Sequence, residues 1–187
     1  YNRGLLYIQT ENYRASTKEF DKAIELDNNY INAYYQRGRA YNIMNMASKG
    51  ISDLKYFLDN KDFSEDKNFE LYAFEILAQL YLKNGEPRKA IEEYSNIIFS
   101  KPVPPVLLNN TYYNLGHIKL KNKISGGCND LMESYKVWTS NLSNGSTWDR
   151  NYKSAGIIDD LYNNKCMSYS NYRLYVKELK KIYKGKY

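Results

Sequence analysis

The sequence predicts an all-α protein built from repeated pairs of antiparallel helices. Three observations carry this prediction: the chain resembles itself at fixed offsets, apolar residues recur at helical spacing, and short turn signals separate the helical segments. A chain of 187 residues, 43% of them hydrophobic, can bury one sizeable core. We therefore expect a single domain or one continuous array of repeats, and not two independent units.

The internal repeat is visible as three columns of aligned residues. In each column the successive offsets are 34, 40 and 38 residues, and the same offsets recurring in three columns are hard to obtain by chance. The repeat therefore predicts four structural units of similar design. The columns are a small one (Gly4, Gly38, Ala78, Gly116), a second, mostly small one (Ser16, Gly50, Ala90, Cys128) and a bulky one (Phe20, Leu54, Tyr94, Met132).

Each unit is predicted to contain two helices joined by a short turn. Apolar and small residues follow the i, i+3, i+4, i+7 rule in the first helix of the second unit and in the second helix of the third. Between the two helices of the third unit lies the segment NGEP, in which Gly85 suits a helix end and Pro87 suits a helix start. Because the connection is short, the paired helices must run antiparallel.

Gly38 lies in the middle of a predicted helix, where glycine costs about 1 kcal/mol relative to alanine. Its column is occupied by a small residue in every unit. We interpret the column as the place where the first helix of a unit lies close against a neighbouring helix, so that a larger side chain would hold the two apart. Packing of this kind is available only in a stacked array.

The pattern weakens after the fourth unit. Residues 139–147 are predicted to form a polar linker, and Ser146 and Asp149 resemble the capping box of a new helix. A degenerate fifth pair is suggested by four residues that lie 40 positions after their counterparts in the fourth unit. An amphipathic helix is predicted over about 170–184. The residues suggesting the fifth pair are Tyr152, Gly156, Ser168 and Tyr172.

These columns resemble the tetratricopeptide repeat, which has aromatic, small and alanine residues at matching places. The third unit matches best, the first is cut short at its start, and the resemblance covers about residues 1–138. It implies a right-handed superhelical solenoid of four repeats, at about 1–30, 31–70, 71–108 and 109–138, followed by a linker and C-terminal capping helices over 139–187. The matching residues of the third unit are Phe74, Leu77, Ala78, Tyr81, Gly85, Ala90, Tyr94 and Pro102.

Some positions depart from the family pattern. Lys119 stands where the family has tyrosine, so the outer packing of the fourth repeat is expected to differ. The second repeat carries six extra residues near 59–68, which we expect to lengthen a loop or its second helix.

The sequence offers little for catalysis, and we predict no enzyme, no cofactor and no metal site. His117 is the single histidine, and no nucleophile, zinc or phosphate-loop motif accompanies it. Gly126 and Gly127 precede a helix start but are better interpreted as the turn between two helices. Cys128 and Cys166 lack a metal-site spacing, and we expect two separate thiols, because a disulfide requires an oxidising compartment that the sequence does not establish.

The resemblance implies that a peptide or partner helix binds in a concave groove lined by the first helix of each repeat. Of the groove positions, Tyr35, Arg39, Gln79, Tyr113 and His117 are the contacts we favour. The lysine, asparagine and arginine clamp that binds C-terminal carboxylates in one subgroup is absent. The predicted groove residues are Asn32, Tyr35, Arg39, Asn42, Tyr72, Glu75, Gln79, Lys83, Asn110, Tyr113, His117 and Lys121.

The predicted function is therefore a non-catalytic protein-interaction module with a protein or peptide partner. Two alternatives stay open: the chain could be the sensor or assembly-scaffold segment of a larger, envelope-associated protein, or it could bind nucleic acid through its basic C-terminal helix. The net charge of +6 is mild, and we expect neither nucleic acid nor a membrane as the main partner. The sequence does not choose between the cytoplasm and an extracytoplasmic compartment reached after removal of a leader.

Overall fold

The computed structural model describes residues 1–60, 69–100, 102–143, 154–168, 170–173 and 177. Every regular element among these residues is helical, as the sequence predicted. A single further helical turn covers residues 170–173. The longer helices are α1 (Asn2–Gln9), α2 (Tyr13–Leu26), α3 (Ile31–Ile43), α4 (Ala47–Asp59), α5 (Phe69–Lys83), α6 (Pro87–Phe99), α7 (Pro105–Lys121), α8 (Gly127–Ser143) and α9 (Ser154–Asn163).

The chain divides into two compact units, Tyr1–Lys101 and Pro102–Tyr187, instead of the single domain or continuous array expected. Three prolines within four residues, Pro102, Pro104 and Pro105, mark the boundary. Proline lacks the backbone N–H that continues a helix, so this segment ends one unit and opens the next. In the first unit α1 to α6 pack in chain order, and α3 also contacts α5. In the second unit α7 packs on α8, and α8 on α9.

The small-residue column packs as predicted, against the second helix of the same pair. A Cβ added to Gly38 would lie 2.8 Å from Cγ of Leu54, and one added to Gly4 would lie 2.6 Å from the ring of Phe20. Both distances are shorter than carbon atoms tolerate. The helical cost of Gly38 is thus offset by an approach that no larger residue permits.

The second helix of the fourth pair is shifted by one residue from the predicted columns. A Cβ added to Gly116 would lie 2.6 Å from Cγ of Leu131, and Gly127 is buried where the other pairs bury Ser16, Gly50 and Ala90. The predicted occupants were Met132 and Cys128. The cause is the turn, because Lys123 and Gly126 both take positive φ there, whereas the other turns contain one such residue.

The same turn closes the first helix of every pair, including a fifth. Glu11, Asn45, Gly85, Lys123 and Lys165 all take positive φ, and the following amide donates to the carbonyl five residues earlier at 2.8 to 2.9 Å. This hydrogen bond satisfies a carbonyl left open at the helix end. The last turn comes 42 residues after the fourth and not 40. Counted from its turn, the residue of the fifth pair that aligns with the small-residue column is therefore Ile158, and not Gly156 as predicted.

Two further predictions fall partly outside the described residues. Helix α8 continues through Ser143, so the first part of the predicted linker is helical, and the hydroxyls of Thr139 and Ser140 donate to carbonyls three residues earlier. Ser146, Asp149, Tyr152 and most of the predicted 170–184 helix lie outside the described residues. Of the remainder, Tyr172 donates to Asp159 of α9 at 2.9 Å.

Charged side chains tie neighbouring helices in both units. Arg37 of α3 donates twice to Asp53 of α4, at 2.8 Å each, and once to Asp21 of α2 at 2.7 Å. In the second unit Lys119 pairs with Asp130 at 2.8 Å, so an ion pair stands where the family pattern has an aromatic ring. These contacts fix the helices that carry the predicted groove residues.

Candidate functional site

The first-helix residues of the second and third repeats form a connected surface, here called the α3/α5 face: Arg39, Asn42, Ile43, Tyr72, Glu75, Gln79, Leu82 and Lys83. Asn42 Nδ2 donates to Gln79 Oε1 at 2.9 Å, and Lys83 Nζ donates to the carbonyl and Oδ1 of Asn42 at 2.6 and 2.9 Å. Arg39 donates to Gln36 at 3.0 Å. These polar groups are therefore held in place before any partner arrives.

Large apolar side chains are exposed on the same face. Tyr72 is 41% exposed, Leu82 38% and Ile43 46%. Ile43 lies on α3 and the other two on α5, the two helices that the hydrogen bond from Asn42 to Gln79 joins. Aromatic and aliphatic side chains fixed on helices offer contact area at a low cost in conformational entropy.

Glu75 is the one charged residue of the α3/α5 face that nothing within the described parts of the chain pairs or hydrogen-bonds. It is half-buried, one turn after Tyr72 and one turn before Gln79. Burial raises the pKa of its carboxyl above the ordinary value, and no cation works against that rise. The side chain thus bears a desolvation cost that the described residues do not offset.

Two of the predicted groove residues are buried in the unit, which corrects the expectation that they face a partner. Asn32 and Tyr35 are each 4% exposed. The ring of Tyr35 stacks on Phe69 at 4.3 Å and lies 5.2 Å from Phe57. Because Phe69 begins α5, the helix after the pair that contains Tyr35, its position over Tyr35 follows from the packing of α5 and not from the helical spacing of α3.

In the second unit the fourth-repeat residues converge on an aspartate of α9. The hydroxyl of Tyr113 donates to Asp160 Oδ2 at 3.1 Å, and His117 Nε2 lies 3.0 Å from the same oxygen. Burial, this hydrogen bond and the aspartate charge raise the pKa of Tyr113 to about 12. We call Tyr113, His117 and Asp160 the α7/α9 face. Asn110 is half-buried and Lys121 is exposed.

Sequence reasoning missed Asp160. The predicted offset of 40 aligns it with the apolar Leu120, the fourth-repeat counterpart of Asn42 and Leu82, and it is the turn at Lys165, whose φ is 58°, that shows the correct register. Counting back from that turn places Asp160 in the column of Ala40, Leu80 and Ile118, which the structure buries. A charged residue in a column of apolar ones needs partners, and Tyr113 and His117 supply them.

A disulfide joins Cys128 at the start of α8 to Cys166 after α9, so the expectation of two separate thiols is wrong. The Cα atoms lie 5.3 Å apart, within the normal range for a disulfide. Leu131 of α8 packs with Ile157 and Leu161 of α9 in one apolar cluster, and this packing brings the cysteines together. The sequence could not reveal it, because the two cysteines lie 38 positions apart.

These faces offer hydrogen-bonding groups, charged side chains and exposed apolar area. Among the residues that the structure describes, no three histidine, cysteine or acidic side chains group as metal ligands. Nor is any helix in that part of the chain long and apolar enough to span a bilayer. At His117 the described partners are a carboxylate and a tyrosine, both already hydrogen-bonded to each other.

Comparison with known proteins agrees with the repeat pattern. The family model described as Tetratricopeptide repeat matches residues 1–30. Neutrophil cytosol factor 2 of Bos taurus is 30% identical over 114 residues, which cover 56% of this chain and 22% of that protein. The chain thus spans about a fifth of the length of this curated relative.

Solved structures of helical repeats share the fold. A crystal structure of MamA protein matches with a TM-score of 0.69 at 19% identity, covering 98% of this chain and 89% of the other. Nearly identical TPR-like repeats of a putative kinesin light chain from Podosopora anserina match with a TM-score of 0.63 at 13% identity, covering 99% and 94%. The predicted fold class, an all-α solenoid of antiparallel helix pairs, is confirmed.

Proposed function

Because this chain is a tetratricopeptide repeat protein, we propose that it binds an extended peptide or a partner helix on its first-helix faces. The family is generally a non-catalytic interaction module, and its repeats support a scaffold role in protein-protein interaction. The finer proposal concerns where the partner binds. We assign the α3/α5 face as the main contact surface and the α7/α9 face as a second one.

The observation that carries the proposal is the combination found on the α3/α5 face. Its amides and Lys83 are fixed by one another, while Tyr72, Leu82 and Ile43 remain exposed beside them. Fixed polar groups can hydrogen-bond a backbone without losing much entropy, and exposed rings and aliphatic chains supply apolar contact. Buried Asn32 and Tyr35 are left out of the proposed contact set.

The test is selection of peptides from a random dodecapeptide library displayed on phage, followed by fluorescence anisotropy with the selected peptides. We expect the double variant Tyr72→Ala/Leu82→Ala to bind them about tenfold more weakly, because both side chains lose contact area. Phe99→Ala is the control, since Phe99 is 81% exposed at the end of α6 and away from the face. Equal affinities of the wild type and the double variant would overturn the proposal.

The alternative of a segment within a larger protein is compatible with the short coverage of the curated relative. It does not compete with the proposal, because an interaction face serves either case. The nucleic-acid alternative rests on a C-terminal helix that lies largely outside the described residues and stays a prediction.

A further inference from the structure

The charged residues of the two first-helix faces differ in whether they already have partners. Arg39 is held by Gln36, Lys83 by Asn42, and Asp160 by Tyr113 and His117. Glu75 has neither a hydrogen bond nor an ion pair in the part of the chain that the structure describes. It is therefore the position where an incoming charge would change the electrostatics most.

The surroundings of Glu75 suit a ligand more than a structural role. Its neighbours along the same helix face are the exposed ring of Tyr72 and the amide of Gln79, whose oxygen already accepts from Asn42. Half-burial weakens the solvation of the carboxylate, so an arriving cation would gain more than at an open surface. A glutamine here would avoid the desolvation cost, which leaves recognition as the reason for a carboxylate.

We propose that Glu75 binds the cationic side chain of a lysine or arginine in the peptide partner, with the aliphatic stem of that residue against the ring of Tyr72. This inference rests on the proposed function, and it adds the chemistry of the partner. Charge complementarity at a half-buried site selects partners more than it strengthens all of them. A partner with an acidic or apolar residue at this place would leave Glu75 desolvated and unpaired.

The test repeats the dodecapeptide selection against the wild type, Glu75→Gln and Glu92→Gln. Glu92 is exposed on α6, so its variant removes the same charge at a distance from the α3/α5 face. We expect lysine and arginine to be enriched at one peptide position with the wild type and with Glu92→Gln, and to lose that enrichment with Glu75→Gln. A selected peptide should bind Glu75→Gln about tenfold more weakly than the wild type.

A double-mutant cycle then assigns the effect to one pair of residues. When the basic residue of the peptide is replaced by glutamine, the wild type and Glu75→Gln should bind the peptide equally. Selected peptides without basic enrichment, or an unchanged Glu75→Gln effect in the cycle, would overturn the inference while leaving the proposed function intact. If no variant selects any peptide, the proposed function itself fails, and the inference fails with it.

Discussion

The contacts between successive first helices differ in chemistry between the two units. On the α3/α5 face the contact between repeats runs through neutral amides and Lys83, and a carboxylate, Glu75, is left without a partner among the described residues. On the α7/α9 face the carboxylate of Asp160 is shared by Tyr113 and His117, and a disulfide holds the helix that carries it. The comparison teaches that the α3/α5 face leaves a carboxylate unpaired among the described residues, where we propose that a ligand charge binds, whereas the α7/α9 face pairs its carboxylate within the fold.

The largest expected effect is on the second unit, through its disulfide. Closing a loop between cysteines that lie 38 positions apart should stabilise by about 4 kcal/mol on the chain-entropy account. We expect Cys128→Ser/Cys166→Ser to speed amide hydrogen exchange in α9 and α8 while leaving α3 and α4 unchanged. Adding a reductant to the wild type should have the same effect. Unchanged exchange in α9 would mean that apolar packing alone holds it.

The next largest effect concerns the first unit. There the hydrogen bonds of Arg37 to Asp53 and Asp21 link neighbouring helices, as the disulfide does in the second unit. Asp53→Asn removes the carboxylate that accepts two hydrogen bonds from Arg37. Because the guanidinium stays largely buried, the loss should be about 3 kcal/mol of unfolding free energy, measured by urea denaturation. Lys22→Met, which removes an exposed cation of α2, is the control and should change little.

A smaller effect tests the charge of the α7/α9 face. Asp160→Asn should cost about 1 kcal/mol, because its two hydrogen bonds are only partly buried. It should also lower the pKa of Tyr113 from about 12 toward the ordinary value, since the aspartate charge and its hydrogen bond both raise it. Carbon NMR of ring-labelled tyrosine, assigned with Tyr113→Phe, measures that pKa. A pKa that does not move would leave burial as its single cause.

The smallest effect has the opposite sign. Burial raises the folded-state pKa of Glu75 above its unfolded value, so the ionised carboxylate destabilises the folded chain at neutral pH. Glu75→Gln should therefore raise the unfolding free energy at pH 7 by about 0.5 kcal/mol. The difference should shrink as the pH falls through the pKa range of carboxylates. A variant less stable than the wild type at pH 7 would give Glu75 a structural role.

Much of the fold could be predicted because it repeats. Gly4, Gly38 and Gly116 recur in one column, and their close approach to the second helix follows from that recurrence. The one-residue shift of α8 could not be predicted, because it depends on the φ angle of Gly126 and not on residue type.

The candidate site was predicted less well than the fold. Helical spacing places a residue on one side of its helix, and it gave positions such as Asn42 and Gln79 that the structure brings together. It does not say what the next repeat lays over that side, which is why Tyr35 lies under Phe69. Asp160 was missed because the fifth pair follows the fourth by 42 residues and not by 40, so the predicted offset assigns it to the wrong column.

The recurring turn between paired helices identifies positions where the folded chain could be more stable than it is. Only one of the five positive-φ positions that end a first helix in the described residues is glycine, namely Gly85; Glu11, Asn45, Lys123 and Lys165 adopt φ of 55° to 58° with a side chain. A side chain in this region of φ costs about 1 kcal/mol or more, least for asparagine. The chain therefore tolerates a repeated backbone cost at these turns, and the same positions are where its stability could be raised without altering the α3/α5 or the α7/α9 face.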